Sequence, residues 1–115
     1  MKSPLNYSRS IFINCPFDDE YQKLFESIIF AVLSCGFIPR CAKESMDIDE
    51  IRINKIFNII HDSKYGIHDI SRVEVTKSSF LPRFNMPLEL GIFIGCQKFG
   101  NKNDKVNYHL QRRWL

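Results

Sequence analysis

The stretch Phe84–Gly100 reads FNMPLELGIFIGCQKFG and predicts one long, almost wholly apolar helix. Asn85 suits an N-cap position, and Pro87 is tolerated in a first turn because the N–H that proline lacks would be unpaired there. A helix that is apolar nearly all round must be buried on most sides. Glu89 is its one carboxylate, and acidic side chains are seldom buried without a partner. Glu89 is therefore either an ordinary acid near a positive helix N-terminus or a functional carboxylate.

Short apolar runs alternate with helical periodicity upstream of this helix. The predicted strands are Ser10–Cys15, Phe37–Ala42 and Ser63–Ile70. The predicted helices are Glu20–Cys35, with Asp19 and Gln22 as a capping box, and a second helix opened by Asp47 and Glu50 that carries Ile53, Ile56, Phe57 and Ile60. Pro39 places the second strand at a sheet edge. The alternation predicts an α/β fold, an open flavodoxin-like parallel sheet of order 2-1-3 with crossover helices.

Length and composition indicate a single soluble domain over residues 1–115. The chain is 44% hydrophobic and 25% charged, which is typical of a globular protein. The polar segment 71–83 is either a functional lid loop or a disordered segment, because loops of that length in a compact domain are usually one or the other. Residues 101–115 form a basic tail in which Arg113–Leu115 begin a further strand. We expect either that the chain stops early within this strand or that a partner chain or a second copy completes the sheet.

Charge and cysteine usage exclude several classes of protein. The net charge is +3, and the excess of positive charge lies from Lys98 onward while the rest of the chain is close to neutral. This is too little positive charge for specific nucleic-acid binding. The four cysteines contain no CxxC pair and the three histidines show no ligand spacing, so we expect free buried thiols, no metal and no cofactor. The start carries no signal peptide, and the longest apolar run, Ile28–Leu33, is too short to span a membrane. We therefore expect a cytoplasmic protein.

Candidate ligand-binding residues follow from the predicted topology. In an open parallel sheet, ligands bind beyond the carboxyl ends of the strands, here between the first and third strands. The residues expected there are Asn14, Pro16, Phe17 and Asp18 after strand one, Asp69 and Arg72 after strand three, Arg40 from strand two, and Asn85 and Glu89 at the start of the last helix. Arginine suits phosphate or carboxylate groups, but no glycine-rich phosphate loop is present. Asp18 is equally suited to cap the first helix, and Arg72 to a surface ion pair.

The segments KYGIHDIS and NMPLELGIFIG resemble the nucleoside 2-deoxyribosyltransferases and the superfamily that these enzymes share with bacterial TIR domains. The resemblance implies that Glu89 is the catalytic carboxylate at the anomeric carbon and that Asp69 helps to bind and protonate the substrate. Phe17 stands where the transferases carry a tyrosine. INCPFD, YGIHD and FNMPLELG together also resemble a group of bacterial proteins of uncharacterised function, from Ile11 to Gly100. Members of that group continue into another apolar strand.

Three hypotheses for function remain open. The first is an enzyme that cleaves or transfers at an N-glycosidic bond of a nucleotide such as NAD, in which two carboxylates divide the roles of capturing the sugar and helping the base to leave. The second is a non-catalytic nucleotide-sensing or protein-interaction module of the same fold. The third is a phospho-receiver that uses Asp18, Asp19 and Asp69, although such a domain has no use for the apolar ELG helix.

Overall fold

Four parallel strands form one sheet with helices on both faces. The structure is a computed structural model and describes residues 4–43, 52–71 and 85–110. The elements are α1 (Pro4–Arg9), β1 (Ser10–Asn14), α2 (Gln22–Ser34), β2 (Ile38–Arg40), α3 (Arg52–His61), β3 (Tyr65–Asp69), α4 (Asn85–Phe99) and β4 (Val106–Leu110). The strand order is β2-β1-β3-β4, parallel throughout. The predicted α/β class, the 2-1-3 order of the first three strands and the edge position of β2 are confirmed.

The central strand β1 explains why the core has two halves. Every residue of β1 is buried, as expected when helices cover both faces of a parallel sheet. Its alternate side chains enter two clusters. The cluster on one face contains Ile11, Ile13, Cys15, Tyr21 and Val32, and the cluster on the other contains Phe12, Ala42, Ile56, Ile59, Ile60 and Phe93. Helix α2 therefore packs on one face, and α3 and α4 pack on the other.

Strand β4 corrects the prediction for the basic tail. Residues 106–110 were predicted to be part of a turn-rich connector, but they form a strand that pairs with β3 from Tyr65↔Val106 to Asp69↔Leu110. The period-2 alternation of VNYHL is a strand signal, which the basic composition around it obscures. The predicted strand start at Arg113–Leu115 lies outside the described residues, as do Asp47, Glu50 and positions 72–83 of the candidate lid.

The helices bury narrower stripes than their apolar content predicts. In α4 the buried residues are Met86, Glu89 and Phe93, while Leu88 and Phe99 are exposed. The expectation that this helix is buried on most sides is therefore wrong for the described part of the chain. In α3, Ile56 and Ile60 are buried as predicted, but Phe57 is exposed and Ile59 takes its place.

Three further observations bear on the sequence predictions. Helix α1 was not predicted, and its Tyr7 carbonyl accepts a hydrogen bond from the Lys64 N–H at the start of β3. All four cysteines are free, as predicted, but only Cys15 is buried and Cys35 is exposed. In the described ranges, no helix combines the length and the apolar character needed to cross a bilayer.

Candidate functional site

The site is built at the edge of the sheet where the parallel strands end. Asn14 is the last residue of β1 and Asp69 the last residue of β3, and the register places Asn14 level with His68. Asn14 and Asp69 are both buried. Because neighbouring side chains on a strand alternate between faces, Asp69 lies on the α2 face and His68 on the α4 face. Groups from both faces therefore meet at this edge.

Asp69 accepts hydrogen bonds at both of its carboxylate oxygens. The Tyr21 hydroxyl donates to Oδ2 at 2.5 Å. Ser71 donates to Oδ1 through its backbone N–H at 3.0 Å and through its hydroxyl at 2.5 Å. Distances of this size are typical of hydroxyl groups that donate to an ionised carboxylate. Because Asp69 is the acceptor in every one of these bonds, the arrangement suits binding and orientation better than proton donation.

Glu89 lies in the second turn of α4 and is only 6% exposed, against 4% for Asp69. The charges of both carboxylates act on the thiol of Cys15. Burial, then Cys41, then the charges of Asp69 and Glu89 raise the pKa of Cys15 to about 12. Both acids therefore lie within electrostatic reach of one sulfur atom. A hydrogen bond from Asn14 to the Met86 carbonyl oxygen places the first turn of α4 beside the end of β1. Glu89 in the next turn of α4 and Asp69 at the end of β3 therefore lie at the same edge of the sheet.

Asn14 ties this edge to the first turn of α4. Its Nδ2 group donates to the Met86 carbonyl oxygen at 2.7 Å and contacts His68 Nδ1 at 2.9 Å. A carbonyl oxygen can only accept, so the amide presents its NH₂ group to Met86, and its second N–H is directed at His68. His68 Nδ1 is therefore the acceptor, and the ring proton is on Nε2. Asn14 Oδ1 is buried and has no hydrogen-bond partner among the described residues.

The network continues from His68 to β4 and back to α4. His68 Nε2 donates to Asn107 Oδ1 at 3.0 Å, Asn107 Nδ2 donates to Gln97 Oε1 at 3.2 Å, and Gln97 Nε2 donates to the Lys105 carbonyl oxygen at 2.9 Å. Burial lowers the pKa of His68 to about 4; the Asn107 hydrogen bond acts in the opposite direction, and the charge of His109 adds to the lowering. His68 is therefore neutral at pH 7, and its neutral ring holds the orientation of the Asn14 amide.

The other predicted residues of the first strand's end have packing roles. Pro16 is buried, and Phe17 packs against both core clusters and meets Phe25 edge-on at 5.5 Å. Lys43 Nζ lies 4.9 Å from the centre of the Phe17 ring. Asp18 Oδ1 accepts the Tyr21 N–H at 2.9 Å, so Asp18 stabilises the turn before α2. The helix starts at Gln22, and Asp18 rather than Asp19 supplies this side-chain bond.

Of the two predicted arginines and Asn85, the structure describes Arg40 and Asn85. Arg40 is buried and ends β2, but the register pairs it with Phe12, two residues before Asn14. It therefore lies below the level of Asn14 along the sheet. Arg72 lies outside the described residues. Asn85 is the first residue of α4, which agrees with the predicted helix start.

Sequence reasoning missed Tyr21, His68, Ser71 and Asn107. Tyr21 lies in the predicted helix Glu20–Cys35, where it counts as one residue of the apolar face, although a buried tyrosine hydroxyl requires a hydrogen-bond partner. His68 stands directly before Asp69 in the segment YGIHD, but its partners come from β1 and β4, which are far away in sequence. The pairing of β1, β3 and β4 is the signal that would have identified them.

No metal site is formed in the part of the chain that the structure describes. Among those residues no three His, Cys, Asp or Glu side chains are close enough to hold an ion. Asp18, Asp19 and Asp69 therefore do not form the acidic cluster that a phospho-receiver uses for its cation. Asp18 and Asp69 instead both accept hydrogen bonds from Tyr21, and Asp19 is exposed.

Comparison with known sequences leaves the chemistry of the site as the guide to function. No protein-family model and no curated protein matches the chain.

Proposed function

We propose that this protein is a nucleotide-binding domain that cleaves or transfers at an N-glycosidic bond, with NAD or a similar nucleotide as the substrate. The observation that carries the proposal is the position of Glu89 and Asp69 at the carboxyl edge of the sheet. Both are buried, they come from different elements, and both charges act on the Cys15 thiol at the carboxyl edge of the sheet. Open parallel sheets bind ligands at this edge.

Glu89 is the carboxylate assigned to the sugar. As the bond between C1′ and the base breaks, the bonding electron pair leaves with the base and positive charge develops on the sugar. The Glu89 carboxylate either stabilises this charge while water attacks C1′ or forms an ester with C1′ that water or an acceptor then displaces. A buried position strengthens this electrostatic effect because little water screens it.

Asp69 and Tyr21 are assigned to binding and orientation. Asp69 already accepts hydrogen bonds from the hydroxyl groups of Tyr21 and Ser71, so we assign it no role as a proton donor. A base that carries a positive charge before cleavage leaves as a neutral molecule and needs no proton. The nicotinamide of NAD is such a base, which favours it over an ordinary purine or pyrimidine.

The fold-level resemblance agrees with this proposal. Strand β3 of the open parallel sheet ends at Asp69, and the ELG helix α4 follows it. Likeness to the deoxyribosyltransferase and TIR-like superfamily implies this arrangement. We propose a flavodoxin-like arrangement for the sheet. Phe17 stands in the transferase tyrosine position and packs in the core, while Tyr21 provides a hydroxyl group at Asp69.

The test is release of free base from NAD and from a panel of nucleotides and nucleosides, followed by chromatography. Glu89→Gln should reduce release at least about 100-fold, because the charge that stabilises the sugar is lost while the side chain keeps its size. Glu26→Gln is the matched control. Glu26 is an exposed acid of α2 that accepts a hydrogen bond from the Gln22 side chain. Equal rates for wild type and a folded Glu89→Gln protein would contradict the proposal.

A second candidate is a non-catalytic nucleotide-sensing or protein-interaction module. Large apolar side chains on the surface favour it, with Phe30 of α2 74% exposed and Phe99 of α4 89% exposed. Such surfaces often contact another protein. In this case Glu89→Gln would leave nucleotide binding or assembly intact, and no substrate of the panel would release a base.

A further inference from the structure

The buried amide of Asn14 has one acceptor atom that the described residues leave unused. Its two N–H groups are directed at the Met86 carbonyl oxygen and at His68 Nδ1. Exchanging Oδ1 and Nδ2 would bring Oδ1 against two acceptors, so the amide cannot turn over. Oδ1 therefore keeps a fixed direction and has no hydrogen-bond partner among the described residues. A buried polar atom without a partner costs free energy, and this cost is removed when a donor binds.

We propose that Asn14 Oδ1 accepts a hydrogen bond from a pentose hydroxyl group of the bound nucleotide, so that Asn14 determines whether the site takes a ribosyl or a deoxyribosyl ligand. This inference rests on the proposed function. Phosphate groups carry no donors at neutral pH, apart from a residual acid proton, so they are poor partners for an amide oxygen. The donors of a nucleotide are its sugar hydroxyl groups and the amino or amide N–H groups of its base.

The position of Asn14 selects the sugar from these donors. Asn14 is bonded to Met86, which precedes Glu89 by three residues and therefore lies on the same face of α4. Glu89 is the carboxylate assigned to C1′ of the sugar. A donor that reaches Asn14 is consequently close to the pentose ring, whereas base amino groups lie further from C1′. A site that hydrogen-bonds a substrate hydroxyl discriminates strongly against an analogue that lacks it.

The experiment is isothermal titration of wild-type and Glu89→Gln proteins with the common ribonucleoside 5′-monophosphates and with their 2′-deoxy and 3′-deoxy counterparts. We expect one deoxy series to bind roughly 10- to 100-fold more weakly than the ribose series. Asn14→Leu should abolish this preference, since it removes the acceptor at nearly constant volume. If Asn14→Leu does not fold, Asn14→Ser replaces it, because the shorter side chain withdraws the acceptor.

The outcomes separate this inference from the proposed function. A ribose preference that disappears in Asn14→Leu or Asn14→Ser supports the inference, even if no base is ever released and the catalytic proposal fails. Equal binding of ribose and deoxyribose ligands overturns the inference, even if base release depends on Glu89. A ribose preference that persists in Asn14→Leu also overturns it, and Oδ1 then bonds only to water. If no nucleotide binds at millimolar concentration, both proposals fail.

Discussion

His68 is the residue through which we expect pH to act on the stability of the fold. Burial lowers its pKa from 6.5 to about 4 in the native protein, whereas the unfolded chain keeps the ordinary value. Between these two values the unfolded state binds more protons than the native state, so stability falls as pH falls from about 6.5 to about 4. The linkage amounts to roughly 3 kcal/mol over this window.

Urea denaturation of wild type and His68→Gln at several pH values between 4 and 7 measures this contribution. His68→Gln should lose less stability than wild type across the window, because glutamine does not titrate. His61→Gln is the control, since the side chain of His61 is 63% exposed, and its pH profile should match that of wild type. If NMR of the ring nitrogens shows that His68 in the wild-type protein titrates with the ordinary pKa of 6.5, the prediction is contradicted.

Single residues of the site could be predicted only where their position along a strand decides their location. Asp69 and Asn14 each lie one residue before the end of a predicted strand, so a parallel sheet places them at the same edge. The partners that define their chemistry could not be predicted. Tyr21 reaches Asp69 across 48 positions of sequence, and His68 reaches Asn14 across 54. Such contacts depend on the twist of the sheet and the angle of α2, which local patterns do not determine.

At the scale of elements, the end of α3 depends on one buried lysine from the segment before β4. Lys105 is 2% exposed, and its Nζ donates to the carbonyl oxygens of Ile60 at 2.7 Å, His61 at 3.4 Å and Ser63. These carbonyls close the helix, where a positive charge is favourable. Burial lowers the pKa of Lys105 to about 8, so the ammonium form still dominates at pH 7.

Lys105→Met should lower the free energy of unfolding by about 2 kcal/mol, because the carbonyl oxygens at the end of α3 lose a charged donor. Lys98→Met is the matched control, since Lys98 is exposed in the last turn of α4 and its loss should change stability by less than about 0.5 kcal/mol. Denaturant titration gives both values, and hydrogen exchange of the last α3 amides locates the effect. Equal stabilities of the two variants would show that Lys105 does not cap α3.

The elements themselves were more predictable than their burial. The strands β1, β2 and β3 and helix α2 follow from short apolar runs and 3.6-residue periodicity. Burial of α4 was overestimated because an apolar sequence indicates a preference for burial, while the neighbours available decide how much of the helix is covered. Leu88 and Phe99 remain exposed for this reason.

At the scale of the whole molecule, Gly66 determines how closely α4 approaches the sheet. A Cβ atom placed on Gly66 in β3 would lie 2.5 Å from His68 Nε2 and 3.0 Å from Phe93 Cε2. Both rings belong to the layer between β3 and α4, and Phe93 and His68 are fully buried. The absence of a side chain at position 66 therefore lets the Phe93 ring lie against the strand and leaves His68 free to reach Asn107.

Gly66→Ala should destabilise the protein by about 1–3 kcal/mol, because the added methyl group displaces packed rings. Gly95→Ala makes the same chemical change within α4, where a Cβ atom would meet nothing within 4 Å, so it should stabilise by about 0.8–1 kcal/mol through helix propensity. If α4 and the sheet pack as described, urea denaturation should show a lower free energy of unfolding for Gly66→Ala and a higher one for Gly95→Ala. A neutral Gly66→Ala would mean that the two layers are further apart. Because Glu89 and Phe93 share α4, a displaced helix should also weaken Glu89-dependent base release in Gly66→Ala, while Gly95→Ala should retain it.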